Sequence, residues 1–417
     1  MMDKLCNMRP LAWLLAACVW PVAGQCANWS FDPRVEVGGQ TDDNYRLLPS
    51  GYQESVSGAF GDVRLDMHTV DPVNQLRFSP GVHATWFPNS SDDDSTDPYA
   101  EFFVAHRGLR STATLTSSYI KETVVRSDRA AADTTGGLGN PDTGDSGFIA
   151  LRNRLQLISV LPSFTHELTA RDSLDVNLNY TNARYDKFIP NTNVGYVHWG
   201  ADIAFDHALT ERQSFLVHAL FSRNDPDTPP GAGVNATTNA YGLMGEWRYR
   251  VTDVAQAYVR AGGQRSQFEA TGNIPSKSDT TYIAGAGVNW TYQVTRLFVD
   301  LTRTVDPSST GYSIERNQLR FQISRNFTPL FSGFFAARAM SDKAADPRAT
   351  YRDRTYGVAS IGVEERLRPQ WTIRGQYDYT YQDYARDGFG PERSNMFQLS
   401  LVYEPKRETA SVGRYQR

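Results

Sequence analysis

The sequence predicts an all-β fold, a closed antiparallel transmembrane β-barrel of about eighteen strands, with sixteen to eighteen compatible with the pattern. Three observations predict it. Apolar and polar residues alternate strictly in segment after segment, the joints between segments are sorted into short and long, and the short joints share an apolar-Thr start.

Alternation with a period of two marks a strand whose faces meet different surroundings. In the stretch Trp371–Tyr384, Trp371, Ile373, Gly375, Tyr377, Tyr379 and Tyr381 share one face, while Thr372, Arg374, Gln376, Asp378, Thr380 and Gln382 share the other. Leu174-Val176-Leu178-Tyr180, Tyr241-Leu243-Gly245-Trp247-Tyr249 and Phe397-Leu399-Leu401-Tyr403 repeat the split against polar partners. Eighteen such segments begin near residues 29, 52, 73, 96, 110, 151, 173, 194, 212, 236, 254, 278, 294, 313, 329, 351, 369 and 393. A closed barrel is the one spanning structure open to them, since every backbone polar group in hydrocarbon must be bonded internally.

Eight short joints, from His68–Asn74 to Glu365–Gln370, alternate with nine long polar ones, from Asp43–Gly51 to Asp383–Arg393. Transmembrane barrels sort their loops in this way, with short periplasmic turns and longer external loops, which places both chain ends in the periplasm. Leu168-Thr169-Ala170-Arg171, Leu209-Thr210-Glu211-Arg212, Val251-Thr252-Asp253-Val254, Val294-Thr295-Arg296 and Phe327-Thr328-Pro329 carry the shared turn pattern. The third long joint, Ser127–Gly147, is the longest; it either folds inward as a constriction or stays outside.

Composition agrees with a sheet of unlike faces. Mean hydropathy is −0.48 while the chain holds 21 Tyr, 21 Phe and 8 Trp. A net charge of −4 with 21% charged residues gives no basic surface for nucleic acid. Residues 1–27 are expected to be a signal peptide, with Lys4 and Arg9 before the apolar stretch Leu11–Trp20 and cleavage after Gly24 or Ala27. Leu15-Ala16-Ala17-Cys18 also has the form of a lipoprotein box, so the processing route stays open. All three cysteines lie in or beside this segment, and the mature chain has no intramolecular disulfide. The barrel is expected over residues 28–404, followed by a polar tail, 405–417.

With the apolar face toward lipid, the polar face lines the lumen. Glu246, Arg248, Arg260, Asp300, Arg320, Arg374 and Asp378 are the lumen-lining candidates, and most are expected to pair across neighbouring strands. Trp86, Trp371, Tyr384 and Tyr403 suit the interfacial girdles. No catalytic residues, metal site or cofactor are assigned, because no HExxH, CxxC or GxSxG occurs and the seven histidines are scattered. Asp92-Asp93-Asp94 and Asp142 with Asp145 are weighed as calcium ligands against solvated loops, and neither has EF-hand spacing.

Three stretches resemble a known family, the outer-membrane β-barrel proteins of the putative β-barrel porin 2 type. They are Phe31-Asp32-Pro33-Arg34-Val35-Glu36-Val37, Thr41-Asp42-Asp43-Asn44, and Arg393-Ser394-Asn395-Met396-Phe397-Gln398-Leu399-Ser400-Leu401-Val402-Tyr403. The resemblance covers nearly all the mature chain through diffuse motifs. It implies a Gram-negative outer-membrane barrel that assists exopolysaccharide export, with lipid and lipopolysaccharide, the barrel-assembly machinery and polysaccharide-export proteins as partners, and it carries over no catalytic residue. One departure is that Tyr403 is followed by Glu404-Pro405 and the polar tail, where such barrels commonly end on an aromatic. A general diffusion porin is the alternative, and a barrel-anchored enzyme or adhesin the third reading.

Overall fold

The computed structural model describes residues 29–130, 149–189, 192–228, 237–269, 275–346, 353–385 and 390–405. The expected signal peptide, the tail beyond residue 405, and Asp142 and Asp145 lie outside the described residues.

The alternating segments are strands. They are β1 (Ser30–Asp42), β2 (Val56–Val70), β3 (Asn74–Trp86), β4 (Ser95–Arg107), β5 (Ser111–Thr123) and β6 (Arg154–Glu167). Next come β7 (Asp172–Tyr185), β8 (Gly195–Thr210), β9 (Gln213–Asp227), β10 (Thr238–Thr252), β11 (Ala255–Phe268) and β12 (Lys277–Tyr292). The last six are β13 (Thr295–Pro307), β14 (Ser313–Asn326), β15 (Phe331–Ala344), β16 (Arg354–Arg368), β17 (Trp371–Tyr384) and β18 (Glu392–Tyr403). Expected and observed starts agree to within four residues, the widest gap being 52 against 56 at β2.

Each strand pairs antiparallel with its neighbour in sequence, and β1 pairs with β18 as well as β2. Eight residue pairs, from Val35↔Tyr403 to Asp42↔Met396, close the ring. Closure removes both sheet edges, the condition for crossing hydrocarbon. Inward polar side chains also bridge this seam: Ser400 Oγ donates to Glu36 Oε1 at 2.7 Å and Gln398 Nε2 to Gln40 Oε1 at 2.9 Å. Strands of 12 to 16 residues are long for an apolar band of about 25 Å, so they project past it.

The faces fall as alternation requires. Leu243, 67% exposed, points outward with Tyr241 and Trp247, while Ala240, Met244 and Glu246 on the same strand are buried inside. Around the ring, Val63, Phe205, Val217, Val259, Leu301, Ile361 and Leu399 extend the apolar exterior. An apolar outer belt over a polar interior is the surface of a membrane-spanning barrel. The Trp371 and Tyr403 rings meet at 4.8 Å, tilted by 49°, beside the turn between β16 and β17, and Trp86 is exposed. Tyr384, expected in a girdle, instead faces inward and is buried, with the Arg354 guanidinium 5.8 Å from its ring. It falls in phase with Thr380 and Gln382, the polar set of β17.

The turns after even-numbered strands span two to four residues, and those after odd-numbered strands span five to thirty. Both barrel ends of the chain lie at the short-turn rim. The recurring threonine has a physical reason there. Thr169 Oγ1 accepts the N–H groups of Arg171 and Asp172 at 3.1 and 3.0 Å, Thr210 that of Arg212 at 3.2 Å and Thr252 that of Val254 at 3.3 Å. Thr328 takes those of Leu330 and Phe331 at 3.2 and 2.9 Å. Each hydroxyl replaces a backbone acceptor and so sets the turn. Thr295 differs: its turn is made by Gln293 at φ 51°.

Candidate functional site

At the barrel mouth, on the long-loop rim, buried apolar residues gather into clusters around the connection after β5. The connection after β5 opens with a short helix, α1 (Val124–Ala130), that turns into the lumen. Val124 packs on the inward Leu155 and Leu157 of β6, with Ala183 and Tyr196 from β7 and β8. Val125 joins a separate buried cluster with Tyr45 and Leu47 of the first long loop and with Met340, Tyr356 and Val358 of β15 and β16. Two consecutive valines thus fasten the helix to two different walls.

Polar anchors continue the crossing. The Asp128 carboxylate pairs with Arg354 of β16, and its carbonyl accepts from Arg338 Nη2 at 2.7 Å and Tyr356 Oη at 3.2 Å. Arg129 pairs with Asp42 at the end of β1 and donates to the Tyr45 carbonyl at 2.7 Å and Ser394 Oγ at 3.2 Å. Burial pushes the Tyr45 phenol up to about 12, against the pull of the Arg129 guanidinium over its ring. Of the two courses open to the third long joint in the sequence, α1 takes the inward one; residues 131–148 lie outside the described residues.

Asp42 and its neighbours explain one of the family-like stretches. Ser394 Oγ donates to Asp42 at 2.8 Å, the Asn395 amide donates to Asp43 at 2.7 Å, and Asn44 Nδ2 donates to the Arg393 carbonyl at 3.0 Å. Thr41-Asp42-Asp43-Asn44 therefore ties the first loop to β18 and receives α1. Beneath the helix lies a cavity of about 290 Å³, lined among others by Arg34, Asp62, Tyr99, Arg126, Arg374 and Asp378. A second cavity, about 450 Å³, lies along β6 to β13 with Asn177, Asp202, Arg260 and Gln264 on its wall.

The seven lumen candidates all occupy the inward set of their strands, in phase with buried polar neighbours. Glu246 is 4% exposed and engages Arg248, which lies 3.8 Å from Asp206. Arg320 pairs with Asp300 at 2.8 Å, and the Tyr258 hydroxyl donates to the same carboxylate. Arg374 meets Glu364 at 2.6 Å and Glu36 at 4.0 Å, and Asp378 accepts from Gln376 at 3.0 Å. Glu246 thus pairs with Arg248 and Asp300 with Arg320, while Arg374 and Asp378, four apart on β17, both line the first cavity. Arg260 stands apart, 5.5 Å from the Tyr258 ring.

Asp128, Arg129, Arg338 and Arg354 were not anticipated individually. Their signal was faint: Leu155 and Leu157 are two apolar residues on a face that should be polar. Asp92 and Asp93 are occupied by Arg152 at 2.8 and 3.1 Å, and the Asp94 carboxylate accepts the Phe87 N–H at 2.6 Å. Those carboxylates cross-brace the loops. His218 is held by Asp202 at 2.9 Å, while Ser214, four residues along β9, is in register with Arg248 and Ala208.

No protein-family model matches the chain, and no curated protein does. Among solved structures, the chain is similar to OccK2 of Pseudomonas aeruginosa, with TM-score 0.45 and 8% identity over 90% of this chain and 97% of that one. The FrpB iron transporter of Neisseria meningitidis gives 0.45 and 10% identity over 93% and 83% of the two chains. OccAB3 of Acinetobacter baumannii gives 0.44 and 7% over 90% and 99%. Likenesses of this size carry no argument about what the lumen takes.

Proposed function

We propose that the chain is a channel of the Gram-negative outer membrane that passes small polar solutes, with both termini periplasmic. The observation that carries this reading is α1, held across a polar, charge-lined lumen inside an apolar-coated barrel. Eighteen strands enclose enough width for an aqueous path. An inward segment braced on β16 and β1 narrows that path above the first cavity, a size filter rather than an open bore. Paired charges of both signs along the wall keep it hydrated without a strong field of either sign.

Planar-bilayer recording of the refolded protein tests it. Discrete conductance steps are expected, and a folded barrel with no conductance would sink the channel reading.

The second reading is assistance to exopolysaccharide export, implied by the family resemblance. Inward aromatics favour it: Tyr258 and Phe298 each carry an arginine over the ring, at 5.5 and 5.7 Å, and sugar rings pack on such faces. Deletion of the gene should then lower surface polysaccharide, and an unchanged amount would remove this reading while leaving the channel.

A further inference from the structure

Arg248, Arg320 and Arg374 each meet a carboxylate of the wall, whereas Arg260 makes no ion pair among the described residues. The register makes this unexpected, because Glu246 stands directly opposite Arg260 on β10. Two features hold them apart. Glu246 is taken by the Arg248 Nε and lies 3.8 Å from His218. On the other side Arg260 is opposite Gly285 of β12, where a Cβ would sit 2.5 Å from the arginine Nε. The missing side chain at Gly285 is the space into which Arg260 leans, away from Glu246, with the Tyr258 ring beside its guanidinium.

The side chain lines the 450 Å³ cavity, a volume in the range of small-ligand sites. Asn177, Asn179 and Gln264 on that wall offer neutral donors and acceptors, and Met244 and Ile283 offer apolar surface. The acids of the cavity have partners: Asp202 is held by His218 at 2.9 Å, and Asp306 accepts from Thr304 at 2.8 Å and lies 4.0 Å from Arg316. A guanidinium without an acid, in a cavity whose acids are engaged, is an anion receptor.

We propose that Arg260 binds the anionic group, carboxylate or phosphate, of a small hydroxylated solute in this cavity, with Gly285 as its positioning residue. The proposal rests on the channel reading for its physiological meaning, but the binding itself does not.

Full-length protein refolded into planar bilayers is titrated with sodium gluconate and with inorganic phosphate, and with sorbitol as the neutral control. Anion block of the wild-type current is expected. Arg260→Gln should raise the blocking concentration about tenfold or more, the scale of one charge-assisted hydrogen bond. Gly285→Ala keeps the charge but displaces it toward Glu246, and should raise it by a smaller factor. Block by gluconate alone assigns a carboxylate, and block by phosphate alone a phosphate. Equal anion block in wild type and in Arg260→Gln, with both migrating as heat-modifiable folded barrels, overturns the proposal. Calorimetric titration of the detergent-folded protein with the same anions separates the two readings. Binding that disappears in Arg260→Gln while no variant conducts keeps the site and removes the channel; no binding by the wild type overturns the site.

Discussion

The Asp128 carboxylate and the Arg354 guanidinium form an ion pair at 0% and 1% side-chain exposure, joining the segment that follows β5 to the wall at β16. Counting through β1 and β18, those strands are seven places apart in a ring of eighteen. A buried pair is not itself a large source of stability, because desolvation offsets much of the attraction. Its consequence is positional. Arg354 also donates to Gln382 Oε1 at 2.7 Å and lies 4.5 Å from the Tyr356 ring, so its geometry is set before Asp128 arrives.

Asp128→Ala should therefore open the lumen. It leaves Arg354 buried without its counter-charge, at a cost of about 3–5 kcal/mol. That exceeds what burial of Val125 supplies on the same side, roughly 1.5–3 kcal/mol. The expected outcome is a larger single-channel conductance and a lower thermal midpoint. Asp128→Asn combined with Arg354→Gln, which removes both charges, should recover part of the stability but not the narrow conductance. A conductance unchanged in Asp128→Ala would count against α1 as the constriction.

Strand existence, order and phase were legible in the sequence because unlike solvents on the two faces impose a period of two that no other structure shares. The inward phase of the seven candidates follows from alternation alone, and Tyr384 departs from its girdle expectation because residue type there runs against phase. The anchors of α1 were illegible for a different reason. Arg354 and Asp128 lie 226 positions apart, and nothing in alternation distinguishes a strand-end arginine that holds a loop from one that faces water. The phase of β11 puts Arg260 on the inward face, but its lack of an acid partner depends on Gly285, one strand away.

The recurring turn threonines make a second prediction. Thr328→Ala removes the acceptor of two N–H groups, those of Leu330 and Phe331, at an exposed turn where water replaces it in part. A loss of about 0.5–1.5 kcal/mol is expected in urea unfolding of the detergent-folded protein. Thr295→Ala should cost less, since Gln293 sets that turn. Equal losses at the two positions would show that the hydroxyl has no special part in the turns.

Leu243 and Ser222 test the assignment of faces. Leu243→Arg places a charge in the apolar belt near the middle of β10, costing about 2–4 kcal/mol if that level is the bilayer midplane. Ser222 faces the second cavity, and Ser222→Asn should leave insertion unchanged. The fraction folded into lipid vesicles reads both. Tolerance of the arginine at 243 together with failure of the asparagine at 222 would invert the barrel's faces.

Asp71, in the turn between β2 and β3, supplies a pH dependence whose sign is fixed by its contacts. Its carboxylate accepts the N–H groups of Asn74 and, at 2.8 Å, of Val73, and these hydrogen bonds hold its pKa below the ordinary 3.8. The ionised form is thus favoured by folding. Its contribution is complete above 3.8 and is lost as pH falls through the lower folded-state value. Asp71→Asn keeps an acceptor oxygen and removes the charge. The difference in urea midpoint between wild type and variant should therefore be constant from neutral pH down to about pH 5, then shrink on further acidification. A difference that stays the same down to about pH 2 would mean that the asparagine costs the turn through shape, and that the charge on Asp71 contributes nothing.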